Sequence, residues 1–343
     1  MLLAWLTFVA FIIVLLAIDL GVFHRRPHEP SVRQAVALSA VWLAVGVGFS
    51  GVVYLAYEHG WFGLGATVDV VDGSINGGMA AFEKYLTGYV VEKSLSIDNV
   101  FVIAMIFSSL GIPPRHQHRV LFWGVLGAIA MRAVMILIGA ALVARFHWLL
   151  AVFAVVLIAT GIRLLMARSA HHDPRHGVAM RVLRRIFPLT DGLVDDRFVV
   201  RRTGTAPMPR WALTPLAVAL LLVEAADLVF AVDSIPAIFA VTSDPFLVFT
   251  SNVFAILGLR SLFFALAGVV GSFRYLKPAL AVVLVVVGGK MLAAERLKEW
   301  LGPHFNVWLL AAVTGIIAVG IVLSLIVDRR AASAAPAASS SGG

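Results

Sequence analysis

Two apolar stretches of this chain carry acids where acids are expensive. GYVVEKSLSIDNVFVIAMIF (88–107) holds Glu92, Asp98 and Asn99, and LLLVEAADLVFAVDSIPAIFAV (220–241) holds Glu224, Asp227 and Asp233. An unpaired acid at mid-membrane costs roughly 2.5–3.5 kcal/mol. These residues must therefore face a protein interior and share partners. Helical geometry says which of them meet. Glu224 and Asp227 are three residues apart and lie on one face, with Cβ atoms about 5–6 Å apart. Glu92, Ser96 and Asn99 form a second stripe on a turn-and-turn spacing. A short pattern recurs in DNVFVI (98–103), DLVFAV (227–232) and SNVFAI (251–256), which places Asn252 beside the other two and suggests internal repeats.

Carboxylates with amide carbonyls make a hard oxygen shell. Such a shell suits Mn²⁺, Mg²⁺ or Ca²⁺. The chain has no cysteine, so thiolate metal sites, Fe–S clusters and thiol nucleophiles are excluded. The candidate metal-binding residues are therefore Glu92, Asp98, Asn99, Glu224, Asp227, Asp233 and Asn252. The competing reading is a salt-bridged core, for which Lys93, Arg132 and Arg260 are at hand. The five acids outnumber these three bases, and a cation site accounts for the surplus. Lys93 or Arg260 could replace the metal's charge when no metal is bound. Pro236 removes the hydrogen bond to the Val232 carbonyl, so a break is expected around Val232–Asp233, as in transporter ion sites.

The elements that must position these residues follow from composition. The 343 residues are 61% hydrophobic and 13% charged, far from the roughly 25% charged of soluble domains. The expected fold is all-α: a polytopic membrane helical bundle of about nine spans, with broken helices and possible inverted repeats. The spans are read at 1–23, 34–57, 80–109, 120–144, 147–167, 212–241, 246–270, 275–293 and 305–327. The membrane domain runs over 1–330, and ASAAPAASSSGG belongs to a disordered tail over 331–343.

The formal charge of +8 is explained by topology. Alternate loops hold most of the Lys and Arg residues, nine arginines falling in 168–211 alone, while the other face holds Arg145, Arg296 and Lys298. The positive-inside rule then puts the N-terminus outside and the C-terminus on the cytoplasmic side of the membrane. This leaves no reason to invoke nucleic acid as a partner. Within the basic loop, HGVAMRVLRRIF reads as an amphipathic helix on the anionic inner leaflet, with Val178, Val182, Leu183 and Ile186 on one face. The glycine-rich segment 58–79, with Asp69 and Asp72, reads as an ordered cap or a flexible entrance. Asp19 is expected to pair with Arg25 or Arg26, and Lys290 and Arg163 to reach out to the interface. The histidine clusters HQH (116–118) and HHDPRH (171–176) could capture metal or sense pH, though solvated loop residues explain them as well. No Ser/His/Asp or His–Glu zinc signature points to an enzyme, and no resident cofactor is expected.

The long motifs GYVVEKSLSIDNVFVIAMIF, VEAADLVFAVDSIPAIFAVT and SNVFAILGLRSLFF, preceded by DLGVFHRR, resemble the TerC family of bacterial integral membrane proteins. The resemblance covers nearly the whole chain except the tail. It implies a transporter fold related to the lysine-exporter superfamily. That family includes an alkali-inducible Alx type, tellurium-resistance-associated members and members linked to manganese export. The family's acidic motifs fall on Glu92, Asp98, Asn99, Glu224, Asp227, Asp233 and Asn252. The expected function is thus secondary export of a divalent metal, Mn²⁺ first, coupled to protons or to the membrane potential. The alternatives are a Ca²⁺ or cationic amino-acid transporter, and a non-transporting scaffold in metal or tellurite stress that recruits partners through its basic loop.

Overall fold

The computed structural model describes residues 1–23, 31–166, 178–190, 192–202, 210–266, 275–293, 296–297 and 305–334. It is a helical bundle with two small hairpins. The helices are α1 (Leu2–Phe23), α2 (Val32–Glu58), α3 (Gly78–Leu110), α4 (Pro114–Arg145), α5 (Trp148–Met166) and α6 (Val178–Ile186). They continue with α7 (Pro215–Phe239), α8 (Pro245–Ile256), α9 (Leu259–Leu266), α10 (Leu276–Leu292) and α11 (Phe305–Ala334). Strands β1 (Val68–Asp69) and β2 (Ser74–Ile75) pair antiparallel, as do β3 (Val199–Arg202) and β4 (Arg210–Leu213).

Each of the nine expected spans coincides with a helix or, for 246–270, with the pair α8–α9. Seven of them are long and apolar enough to cross a membrane. The other two are α3, which carries Glu83, Lys84, Glu92, Lys93 and Asp98, and the shorter α10. Residues at the helix starts explain the boundaries. Ser31 and Gln34 form a reciprocal cap on α2, and Asp244 accepts from the first amides of α8. Pro114, Pro215 and Pro245 sit in first turns, where a missing N–H costs nothing. Gly111 closes α3 with a left-handed φ of 63°.

The bundle has an inside and a lipid-type outside. Helix α8 is buried at every residue from Phe246 to Ile256, and α3 packs on α2, α7, α8 and α11. By contrast Leu2, Leu6, Ile13, Val134, Ile138, Val155, Val319 and Val322 are exposed on the outer helices. Burying helices that carry polar side chains and exposing aliphatic ones suits a hydrocarbon solvent.

The expected position of the helix break is corrected. Helix α7 passes through Pro236 without a break at Val232–Asp233. The break lies in the next span, where Leu257 and Gly258 separate α8 from α9 and Gly258 has φ +83°. Its Cα also stands so close to Trp42 that a Cβ would come within 2.6 Å of the indole stem, so only glycine meets both demands. Helix α11 runs to Ala334, and residues 335–343 of the expected tail lie outside the described residues.

At one end of the bundle, the β1–β2 hairpin forms an ordered cap. At the other, basic end, α6 forms where the amphipathic segment was read, but its contacts are with protein. Met180 is buried and Leu183 packs in the core under α7, while Ile186 remains exposed. The side chains of Val178 and Val182 lie outside the described residues. The β3–β4 hairpin lies beside it, and no hydropathy pattern announces its short strands.

Candidate functional site

A single guanidinium organises the centre of the bundle. Arg132, on α4, is 1% exposed and donates to side chains from three other helices. Its Nη1 hydrogen-bonds the Glu92 carboxylate of α3 and, at 2.8 Å, Asn252 Oδ1 of α8. Its Nε and Nη2 hold both oxygens of Asp227 on α7, at 3.2 and 2.9 Å. Ser234 Oγ lies 3.5 Å from Nη1. The Asp227 contact is the two-pronged geometry that a planar guanidinium makes with a carboxylate.

Three of the seven candidate residues, Glu92, Asp227 and Asn252, are therefore brought to one point. Asn99 lies two turns along α3 from Glu92 and lines a cavity of about 20 Å³ together with Asp227, Gly124 and Ala128, room for about one water-sized occupant. Glu224 is half-buried, with its carboxylate against Gly127 of α4, where a Cβ would come within 2.0 Å of Oε1. Both Glu224 and Asp227 thus face α4, as their spacing requires. Asp98 and Asp233 lie within α3 and α7, and their side chains fall outside the described residues.

The polar groups here are not all satisfied. Glu92 Oε2 and Asn99 Oδ1 are buried and have no hydrogen-bond partner among the described residues. Buried acceptors are nearly always paired, so two on one stripe of α3 call for a further partner, a water or an ion. Among the described residues, no three His, Asp or Glu side chains stand together as a metal cage. The centre is instead two carboxylates and an amide around a fixed cation, with spare oxygens alongside.

The bases proposed as substitutes for the metal's charge lie elsewhere. Lys93 Nζ donates to the carbonyls of Ala255 and Leu257, at 3.1 and 3.4 Å, which the α8–α9 break leaves free. The broken-helix carbonyls expected at an ion site therefore exist, one span later than expected, and a lysine ammonium binds them. Arg260 Nη1 donates to Asp19 at 3.0 Å, a partner the sequence reading sought in Arg25 or Arg26, which lie outside the described residues. Lys290 is buried rather than interfacial and donates to the Ala240 carbonyl at 3.0 Å.

A second polar centre closes the cap end. Lys84, on the same helix as Glu92, pairs with Asp69 at 2.8 Å and Asp72 at 2.7 Å, and donates to Asn76 Oδ1 at 2.6 Å. Asp69 in turn accepts from the Ser243 amide and hydroxyl, at 2.9 and 2.7 Å, and from Thr242. Tyr57 donates to Asp244 at 2.8 Å. Burial pushes the Asp69 carboxyl up, but the Lys84 charge and the converging donors outweigh it and hold it well below the usual carboxylate range. Burial raises Asp244 in spite of its donors. At the basic end, His116 is buried, with Nδ1 2.7 Å from Asp196, and His118 stacks on Phe264. His171, His172 and His176 lie outside the described residues.

The chain is similar to known proteins over most of its length. The profile of the "Integral membrane protein TerC family" matches residues 78–332. A membrane protein of Myxococcus xanthus is 46% identical over 95% of this chain and 93% of its own length. Proteins named Alx, described as candidate membrane-bound redox modulators, are 40% identical in Salmonella typhi over 96% of this chain and 95% of theirs. In Escherichia coli K12 the identity is 42%, over 85% of this chain and 86% of that protein. No solved structure matches.

Proposed function

The chain belongs to the TerC family of integral membrane proteins, and from that premise we propose that it is a secondary transporter exporting a divalent metal cation, Mn²⁺ foremost, from the bacterial cytoplasm. One observation carries the reading. Carboxylates and an amide oxygen from α3, α7 and α8 converge inside the bundle with acceptor oxygens to spare. Glu92, Asp227 and Asn252 supply the first oxygens, Asn99 faces the adjoining cavity, and Glu224 of α7, lying against Gly127 of α4, is a proton-accepting carboxylate. Asp98 and Asp233 complete the acidic set. Carboxylates that take H⁺ and metal in turn give antiport without a nucleotide.

The orientation proposed is N-terminus outside, with the cap facing out and the basic loop facing the cytoplasm and its anionic leaflet. The redox role in the names of the Alx relatives would reach this cysteine-free chain through the metal it moves, rather than through thiols. The test is flux in liposomes containing the purified full-length protein. Mn²⁺ should move when a proton gradient of the opposite direction is imposed, and Glu92→Gln and Asp227→Asn should stop it. Flux that persists in both folded variants would leave the acids structural and sink the proposal.

A further inference from the structure

Resting on the transport reading, we infer that Arg132 is a tethered counter-cation: it competes with the metal for the same oxygens and so sets the charge a substrate must carry. Beyond a long contact to Ser234 Oγ at 3.5 Å, the oxygens it binds are ones that hard-cation chemistry would use, namely Glu92 Oε1, both Asp227 oxygens and Asn252 Oδ1. A guanidinium placed only for structure would be expected to leave its acids saturated, because buried ion pairs hold together when their remaining lone pairs are also bonded. Here Glu92 Oε2 and Asn99 Oδ1 have no partner among the described residues, and a cavity large enough for one small occupant opens beside Asp227 and Asn99. Among the described residues the centre is neutralised short of completion. Two carboxylates face one guanidinium, and Lys93 spends its charge on the α8–α9 carbonyls.

The consequence is a threshold. A monovalent ion entering this centre would replace one positive charge with another and lose the fork geometry on Asp227. A divalent ion brings twice the Coulomb attraction to the same carboxylates and gains the spare oxygens. It can displace the guanidinium, which returns when the metal leaves. The returning tether also keeps the acids from being left bare in the membrane interior, where uncompensated charge is costly.

The test is Mn²⁺ binding by the full-length protein in detergent, read from loss of the free Mn²⁺ paramagnetic resonance signal, for wild type, Arg132→Lys and Arg132→Gln. Thermal unfolding establishes which variants are folded, and liposome flux is measured in parallel. Weakening the competitor should tighten Mn²⁺ binding by about tenfold or more and let Na⁺ compete where it does not in wild type. Lysine keeps the charge without the fork and decides the matter if the glutamine variant does not fold. A merely structural arginine predicts the opposite: folded variants whose Mn²⁺ binding is unchanged or weaker, and that result overturns the inference while leaving transport intact. If wild type neither binds nor moves Mn²⁺, the transport reading fails and this one with it.

Discussion

At the scale of single residues, the central claim concerns who neutralises whom. Removing one acid leaves Arg132 buried with half its partners, and breaking a buried pair costs about 3–5 kcal/mol. Asp227→Asn should therefore lower stability by that order and abolish flux, whereas Asn252→Ala, which removes a neutral acceptor, should cost about 1–3 kcal/mol. Denaturant unfolding in detergent alongside flux separates the two. Gly127→Ala puts a methyl where Glu224 now lies and should move that carboxylate without touching Arg132. Its expected effect is a shifted pH dependence of flux with metal affinity retained. Three of the candidate residues, one each on α3, α7 and α8, were legible as a group because polar side chains in apolar spans must seek one another inside the bundle. Arg132 was legible only as an available base. What made it the centre is the rotation of α4 against α3, α7 and α8, and periodicity within one helix does not report how it is turned toward another.

At the scale of elements, the informative part is where a helix breaks. Proline suggested α7, but Pro236 loses one hydrogen bond and the packed helix carries on around it. The turn at Leu257–Gly258 is set by a positive φ and by the approach of Trp42, neither of which a lone glycine in an apolar run announces. Gly258→Ala should destabilise by about 2–4 kcal/mol, combining left-handed strain with overpacking. A melting temperature equal to wild type would contradict the assignment. The cap was legible as a loop with two acids, and its latch was not, because Lys84 was read only as a charge within a span. Asp69 is held below its ordinary range in the folded protein. Its contribution is thus fully present above the unfolded carboxylate pKa of about 3.9 and is lost only as pH falls through the lower folded value. The cap should stay closed through neutral and mildly acidic conditions. Asp69→Asn should remove that acid-side loss and expose the 58–79 segment to protease at neutral pH.

At the scale of the whole molecule, composition and hydropathy were enough for the all-α membrane bundle and the positions of its long helices, seven of which are long and apolar enough to cross a membrane among the described residues, because bilayer thickness imposes a length that a sequence displays directly. Neither hairpin was legible, since strands of two to four residues have no periodicity to read. The charge asymmetry makes a prediction about placement that the cysteine-free chain lets one check cleanly. A single cysteine at Gly60 should react with an impermeant reagent added outside intact cells, and one at Ser340 only after the membrane is opened. The reverse pattern would invert the topology and with it the direction of transport.

The most direct test of the account is intracellular manganese, measured by elemental analysis in an exporter-deficient, manganese-sensitive bacterium. The strain would express wild type, Glu92→Gln or Asp227→Asn at matched membrane levels, with calcium and magnesium read in the same samples. The account predicts that wild type alone lowers cell manganese and restores growth. Variants that lower it equally well would contradict a transport role for the Arg132-centred acids, and a wild type that shifts only calcium or magnesium would contradict the metal.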